Sequence, residues 1–437
     1  TCANTPSRVS HDCRQGSCMI AFTQARHQII AACSKMSAET VATSIALDRI
    51  LAEDIYSPDN LPGFDNSAMD GFALSGNGSS FASGHVFSVS GEVAAGDDAT
   101  NIVGSACEIM TGAPVPKGFD TVVPVENIEV LECDHNNRPV RIQLLKNVLP
   151  NENIRRCGED VTKGSLIVKA GCSIGASERM LFSGLGIAEV KVCSNPKVAL
   201  LTTGRELIDN PNQTLLPGQI RNSNGPFLAD RIQQCGAHLC HQQTVSDDAD
   251  AFLKALKCGL DAGANIVIST GAVSMGRYDF IPDALRSIGA NIVFHKVAMR
   301  PGKPILFAVL PNGTLYFGLP GNPISSAVGF RFFVQLAIQT MQGICSEVPI
   351  KIPLAHAVNK KSNFTLLQKA KLVVDDSGQL KVHLLKGQES FRIQPLLQSN
   401  AWALLPEAAS SLAENELVEL YGLHGIGVSI CASQDKS

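Results

Sequence analysis

The stretch from Asn265 to Ala327 constrains the fold more than any other. It opens on an apolar run, Asn265-Ile-Val-Ile-Ser-Thr270, which reads as a buried strand closed by a glycine. The loop Gly271-Ala-Val-Ser274-Met-Gly276 follows, then Arg277, Tyr278 and Asp279, then an amphipathic run from Phe280 to Ile288. Lys296-Val-Ala-Met-Arg300-Pro-Gly-Lys303-Pro304 comes next, and Gly318-Leu-Pro-Gly-Asn-Pro-Ile-Ser325 leads into a further helix. A loop from strand to helix leaves backbone N–H groups unpaired at the helix start, where an anion is favoured. Glycines at 271, 276, 302 and 321 permit sharp turns and close approach to a ligand. Pro323 suits a first helical turn, where its missing N–H costs nothing. Two glycine loops with a KxxxRPGKP run between them predict a pocket for something polyanionic and phosphorylated.

The whole chain is long enough for several domains, with 437 residues of which 45% are hydrophobic and 17% charged. A formal net charge of -4 argues against a nucleic-acid surface, so an oxyanion site must be local, built from a few placed cations. Fourteen cysteines are scattered and no secretory leader precedes them, which predicts buried free thiols in a reducing, cytoplasmic compartment. The most apolar late helix, Ser325 to Met341, carries Arg331 and Gln335 and falls short of a membrane span, so no membrane partner is expected. The first residue is Thr1, which suggests a truncated start. Residues 1–20 read as a tail, and its Cys13 and Cys18 lack further ligands at zinc-like spacing.

In chain order, Phe22 to Cys33 and Ile45 to Ile55 (ALDRILAEDI) read as helices, followed by an extended passage to Pro62. Asp65 and Asp70 lie among Pro, Gly and Asn, so they belong to a loop; on spacing alone Asp70-Gly71 reads first as a turn, with a carboxylate facing a ligand or metal as the alternative. Val86 to Lys191 alternates short strands with glycine breaks, including a strand that reaches Thr111-Gly112-Ala-Pro, and ends with a helix from Gly175 to Gly184. After Pro196 the pattern changes to strand–helix alternation: strand 197–204, helix 225–236, strand 237–245, helix 250–262. That is an open α/β sheet, with ligands expected at the C-terminal ends of its strands. One of Asp247 and Asp248 is expected to cap the helix that follows. The cluster Cys235, His238, Cys240 and His241 has metal-like spacing but straddles a helix end and a strand, and reads as packing. From Gly343 onward short strands return, predicting a small β-barrel or sandwich.

The cations Lys296, Arg300 and Lys303, with the acids Asp70, Glu206, Asp247 or Asp248 and Asp279 at turns or strand ends, suit phosphate chemistry with a divalent metal. No His or Cys is paired with a Ser as a covalent nucleophile would require. FDNSAMDGFAL, MTGAPVPKGFDTVV, LLTTGREL, STGAVSMGRYDF, RPGKP and GLPGNPISS, in this order, resemble the molybdopterin molybdenumtransferase family over about residues 21–420. The resemblance implies a multidomain α/β plus all-β protein in a homodimer. Residues 21–62 with 150–194 would form an extended dimerisation region, 63–149 a small β domain, 195–343 a central open α/β molybdopterin-binding domain, and 344–437 a C-terminal β-barrel.

The implied reaction is magnesium-dependent insertion of molybdate into adenylylated molybdopterin, releasing AMP and giving molybdenum cofactor. Its implied catalytic positions are Asp70, Thr111, Glu206, Asp279, Lys296, Arg300 and Lys303. Implied substrate positions are Gly271, Ser274, Gly276, Asp247, Asp248, Pro304, Ser325, Lys369 and Ser390, and implied metal positions Asp279, Asp247 and Glu206. Lys369 stands where the family often has arginine and lacks the bidentate fork. Contacts with the enzyme that adenylylates molybdopterin are a further implication. The chain departs from the family pattern at Gly63, Arg205, Ala272, Ala401 and Trp402. A molybdopterin-binding scaffold without turnover is the alternative from another class; the linker and fused domain it would predict are absent from the sequence. Molybdate is not distinguished from tungstate by any residue.

Overall fold

The structure is a computed structural model that describes residues 19–99, 102–272, 280–360, 363–425 and 431–432. The chain divides into two compact units, one of residues 40–192 and the other of the residues on either side. Ser274, Gly276, Asp279, Cys13 and Cys18 lie outside the described residues.

Helix α1 (Phe22–Ala32) belongs to the outer unit and buries Phe22, Ala25 and Ile29, spaced as one helical face. The region after it departs from the sequence expectation. Residues 45–55 are not a helix: Asp48 takes φ +62°, and the amides of Leu51 and Ala52 donate to the carbonyls of Cys172 and Lys191. Ala46, Ile50 and Leu51 are buried all the same, two of them in a core with Ile174, Phe182 and Val192. The apolar spacing was real, but cross-chain pairing took the backbone bonds that a helix would have used. Helix α2 (Ala176–Gly184) forms as expected, with the Glu178 carboxylate accepting the Gly175 amide.

Within the 40–192 unit, strands β1 (Gly71–Leu74), β2 (Val86–Val93), β3 (Ala106–Ile109), β4 (Thr121–Pro124), β5 (Ile128–Cys133) and β6 (Pro139–Leu144) make a sheet in the order β4-β1-β3-β2-β6-β5. Phe72 and Leu74 enter a core on one face and Ala73 a core on the other. Gly71 is required where β1 begins, because a Cβ there would stand 1.9 Å from the Val123 carbonyl oxygen.

The outer unit is built on a six-stranded sheet. Its strands are β7 (Lys197–Thr203), β8 (His238–Val245), β9 (Ile266–Thr270), β10 (Asn291–His295), β12 (Leu306–Val309) and β13 (Leu315–Leu319), with β11 (Met299–Arg300) leaving it. The order is β8-β7-β9-β13-β12-β10; the first four are parallel, β12 pairs antiparallel with β13, and β10 antiparallel with β12. Alternate residues serve opposite faces. Val198, Leu200, Ile266 and Ile268 pack with α1, α3 (Asn224–Gln234), α6 (Pro323–Gly329) and α7 (Gln335–Met341). Ala199, Leu201 and Val267 pack with α4 (Ala249–Asp261) and α5 (Ile281–Ser287). Gly259 brings α4 against β7, since a Cβ on it would lie 2.7 Å from that of Ala199. A π-helical turn, Phe330–Val334, joins α6 to α7.

The C-terminal part is a closed barrel. Strands β14 (Ile350–Pro353), β15 (Thr365–Val374), β16 (Leu380–Leu384), β17 (Ala401–Leu405) and β18 (Leu417–Gly422) run β16-β15-β17-β18-β14, and a Leu354–Val382 bridge returns the last to the first. Strand β11 adds to this sheet, pairing parallel with β15 at Met299–Thr365 and Arg300–Leu366. The basic run therefore passes from the α/β sheet to the barrel.

Candidate functional site

A cleft of about 760 Å³ opens where β7, β8, β9 and β13 end, lined by Thr203, Arg205, Glu206, Asp247, Gly271, Ala272, Pro304 and Asn322 among others. Parallel strands that end together leave their loops to form such a crevice. Each loop is shaped by its own chemistry. Gly204, at φ +151°, sits so close to the Glu206 carboxylate that a Cβ there would be 2.8 Å from its Oε1. Gly271, at φ +90°, presses on the end of β7, where a Cβ would meet the Thr203 carbonyl oxygen at 2.6 Å. The Thr203 hydroxyl donates to the Thr270 carbonyl at 2.9 Å, and the Gly271 amide to that of Leu319 at 3.1 Å, tying three strand ends together.

The two adjacent aspartates have separate tasks. Asp248 caps α4, its Oδ1 accepting the Ala251 amide at 2.8 Å. Asp247 lines the cleft, its Oδ2 accepting the Arg205 amide at 3.3 Å. Of the two, Asp248 is the one that holds the helix. Glu206 and Asp247 put two carboxylates in one wall, and among the described residues no set of three His, Cys, Asp or Glu side chains could hold a metal ion. Two carboxylates fit magnesium, which keeps several waters and binds through one or two carboxylates and substrate phosphates.

The basic run borders this cleft through Pro304. Arg300 and Lys303 are exposed, and Lys296 is half-buried with φ +96°. The guanidinium of Arg300 and the ammonium of Lys303 lie 5.1 and 5.6 Å from the ring centroid of Phe364. Gly302 packs near the start of α6, where a Cβ on it would stand 3.6 Å from the Ser325 carbonyl oxygen. Ser325 itself is buried. The Ser390 carbonyl accepts the Ile324 amide at 3.0 Å, so residue 390 meets this helix end through its backbone.

Lys369 is not among the residues that line the cleft. It is fully buried, and its Nζ donates to the carbonyls of Gly387 at 2.7 Å and Arg392 at 3.1 Å. Burial, opposed by the nearby Glu389 carboxylate, lowers its pKa below the usual lysine range. Through these two bonds it fastens the segment that carries Ser390.

Asp70 and Thr111 form their own pair in the 40–192 unit, both exposed. The Asp70 Oδ1 accepts the Thr111 amide at 2.7 Å and its hydroxyl at 2.8 Å, and these bonds, the amide's first, hold the carboxyl below its usual range. The Asp65 carboxylate accepts from Arg156 at 2.5 Å and from the Cys157 amide at 2.8 Å. The Cys235–His241 cluster is packing: the Cys240 thiol donates to the Val198 carbonyl beside a bulge in β8.

Residues the sequence did not signal include Asn222, whose Nδ2 donates to the Thr202 hydroxyl at 3.0 Å and the Asp209 carboxylate at 2.8 Å beneath the cleft. Asn224 reaches the Gly321 carbonyl at 2.7 Å and so ties α3 to the glycine loop after β13. Their one trace is the polar run Arg221-Asn-Ser-Asn224 ahead of a helix.

Three family models match the chain: MoeA N-terminal region (domain I and II) over residues 20–186, probable molybdopterin binding domain over 199–340, and MoeA C-terminal region (domain IV) over 351–423. A protein named molybdopterin molybdenumtransferase from Synechococcus elongatus is 36% identical over 86% of this chain and 92% of its own length. One of the same name from Bacillus subtilis is 34% identical over 87% and 89%. The crystal structure of a molybdopterin biosynthesis moea protein from Pyrococcus horikosii is similar at a TM-score of 0.76 and 28% identity, covering 93% of this chain and 99% of that one.

Proposed function

This chain belongs to the molybdopterin molybdenumtransferase family, and we propose that it transfers molybdate to adenylylated molybdopterin, releasing AMP and forming molybdenum cofactor. The observation that carries this reading is the cleft at the ends of β7, β8, β9 and β13, with Glu206 and Asp247 in its wall and the basic run at Pro304 on its border. The glycine turns at 204 and 271 let the adenylate approach the backbone closely. Lys303 and Arg300 gather the divalent oxyanion and neutralise the phosphoanhydride, while Arg205 stands in the same wall as a further cation.

Glu206 and Asp247, with Asp279 as the sequence assigns it, would hold a magnesium ion. Held there, such an ion would supply Lewis-acid polarisation of the phosphoanhydride and offset charge on the departing AMP. Asp70, whose carboxyl Thr111 holds below its usual range, is assigned to the same reaction. A homodimer, docking with the adenylylating enzyme, the four-part domain division and a cytoplasmic site of action belong to this reading. Among the described residues no helix is long and apolar enough to cross a membrane.

The test is AMP release from adenylylated molybdopterin with magnesium and molybdate, followed by loading of an apo-molybdoenzyme. The wild-type chain is expected to release AMP, and Asp247→Asn combined with Glu206→Gln to lose that release at least a hundredfold, on the order of what lost electrostatic stabilisation costs. Equal release by the double variant would overturn the assignment.

A further inference from the structure

We propose that Phe364 is a positioning residue that seats Arg300 and Lys303 together on one aromatic ring. The distances are those of cation–π contacts for both side chains, 5.1 Å from the Arg300 guanidinium and 5.6 Å from the Lys303 ammonium. Phe364 is half-buried while both cations are exposed, so the ring is held by its surroundings and the charges are open to a ligand.

The backbone explains why this ring stands beside this run. Parallel pairing sets Met299 against Thr365 and Arg300 against Leu366, and the Thr365 amide donates to the Ala298 carbonyl at 3.0 Å. Phe364 therefore arrives with the first residue of β15. Between the cations the chain turns at Gly302, φ +99°, where a Cβ would lie 2.6 Å from the Met299 Cε. The turn returns Lys303 toward the ring that Arg300 already covers.

An aromatic seat does something that a carboxylate could not. A carboxylate would orient these long side chains but also neutralise them, and an incoming oxyanion would have to displace it. The ring attracts each cation through its quadrupole and leaves the net charge in place. It also limits the rotamers of two flexible side chains before the ligand arrives, which lowers the ordering cost of binding. The role assigned to Phe364 acts through Arg300 and Lys303. It rests on the reading of the basic run as the group that gathers molybdate and the phosphoanhydride.

The test compares Phe364→Leu, Phe364→Tyr, Lys303→Ala and the Phe364→Leu/Lys303→Ala double variant, in steady-state turnover with adenylylated molybdopterin and molybdate and in urea unfolding. Phe364→Leu is expected to raise the KM for molybdate about fivefold with kcat changed less than about twofold, from the loss of two exposed cation–π contacts. Phe364→Tyr, which keeps the ring, restores the wild-type KM. The leucine change is expected to cost less when Lys303 is already alanine, since coupled residues are not additive. A merely structural role would move the urea midpoint and leave that coupling at zero. A wild-type KM in Phe364→Leu, beside a raised KM in Lys303→Ala, overturns the positioning role alone, as does an equal leucine penalty in both backgrounds. A wild-type KM in Lys303→Ala overturns the underlying reading of the basic run.

Discussion

Two groups of cations in the outer unit look alike in sequence and differ in what surrounds them. Arg231 and Arg331 are buried. Arg231 donates to the His424 carbonyl at 2.6 Å and Gln335 at 3.1 Å, and Arg331 to the Gly422 carbonyl at 2.9 Å and Glu347 at 2.6 Å. Arg300 and Lys303 are exposed and rest on a ring. The first pair has spent its donors on fixing the chain after β18 against α3 and the α6–α7 helix. For the second, no side-chain hydrogen bond or ion pair is formed among the described residues, so its donors stay open. A count of basic residues cannot separate the two; the fate of each N–H does.

The largest effect is expected where a buried charge loses its partner. Arg331→Met leaves Glu347, whose side chain is 10% exposed, beside an unpaired site, and should cost about 3–5 kcal/mol of stability, read as a lower urea midpoint. Arg300→Met should stay within about 0.5 kcal/mol of wild type in the same measurement. Equal losses would erase the distinction.

Lys369→Met sharpens it from the other direction. Although this lysine falls in a candidate position, it should behave like Arg331, losing about 1–3 kcal/mol because the buried ammonium's bonds to the Gly387 and Arg392 carbonyls are lost. Lys303→Ala is expected to leave the urea midpoint in place and raise the KM for molybdate about tenfold, the worth of one charge-assisted hydrogen bond.

The acids divide in the same way, on a smaller scale. Asp248→Ala should cost about 1 kcal/mol through loss of the α4 cap, with catalysis affected little. Asp247→Asn should leave stability alone and slow AMP release. The smallest effect concerns Asp70. Thr111→Val removes one of two donors to a carboxylate whose pKa is held down, so that pKa should rise. A depressed carboxylate favours the folded state above its unfolded pKa and loses that contribution as pH falls through its folded pKa. The variant should therefore show its acid loss at higher pH, measured by carboxyl NMR titration.

Strand–helix alternation, the barrel and the placement of Glu206 and Gly271 at turns or strand ends were legible in the sequence, because hydrophobic period and glycine turns are local signals. The pair Asp247-Asp248 was half legible: capping chemistry required one of them but did not say which. The burial of Lys369 was not legible, since it lies on a strand among alternating residues and nothing local says that it will bond to residues 387 and 392. Residues 45–55 failed for a related reason, as their partners at Cys172 and Lys191 lie far along the chain. Ala272 was flagged for its missing glycine, and it adopts φ +49°, the left-handed conformation that glycine would take without strain.

Strand β11 is attached to a partner synthesised much later. When the α/β layer has been made through α7, the backbone at Arg300 still lacks Leu366, and Phe364 does not yet exist. On the ribosome the fold can therefore complete its crevice before it can fix its charges, so a nascent or prematurely ended chain would present the walls of the site without its grip.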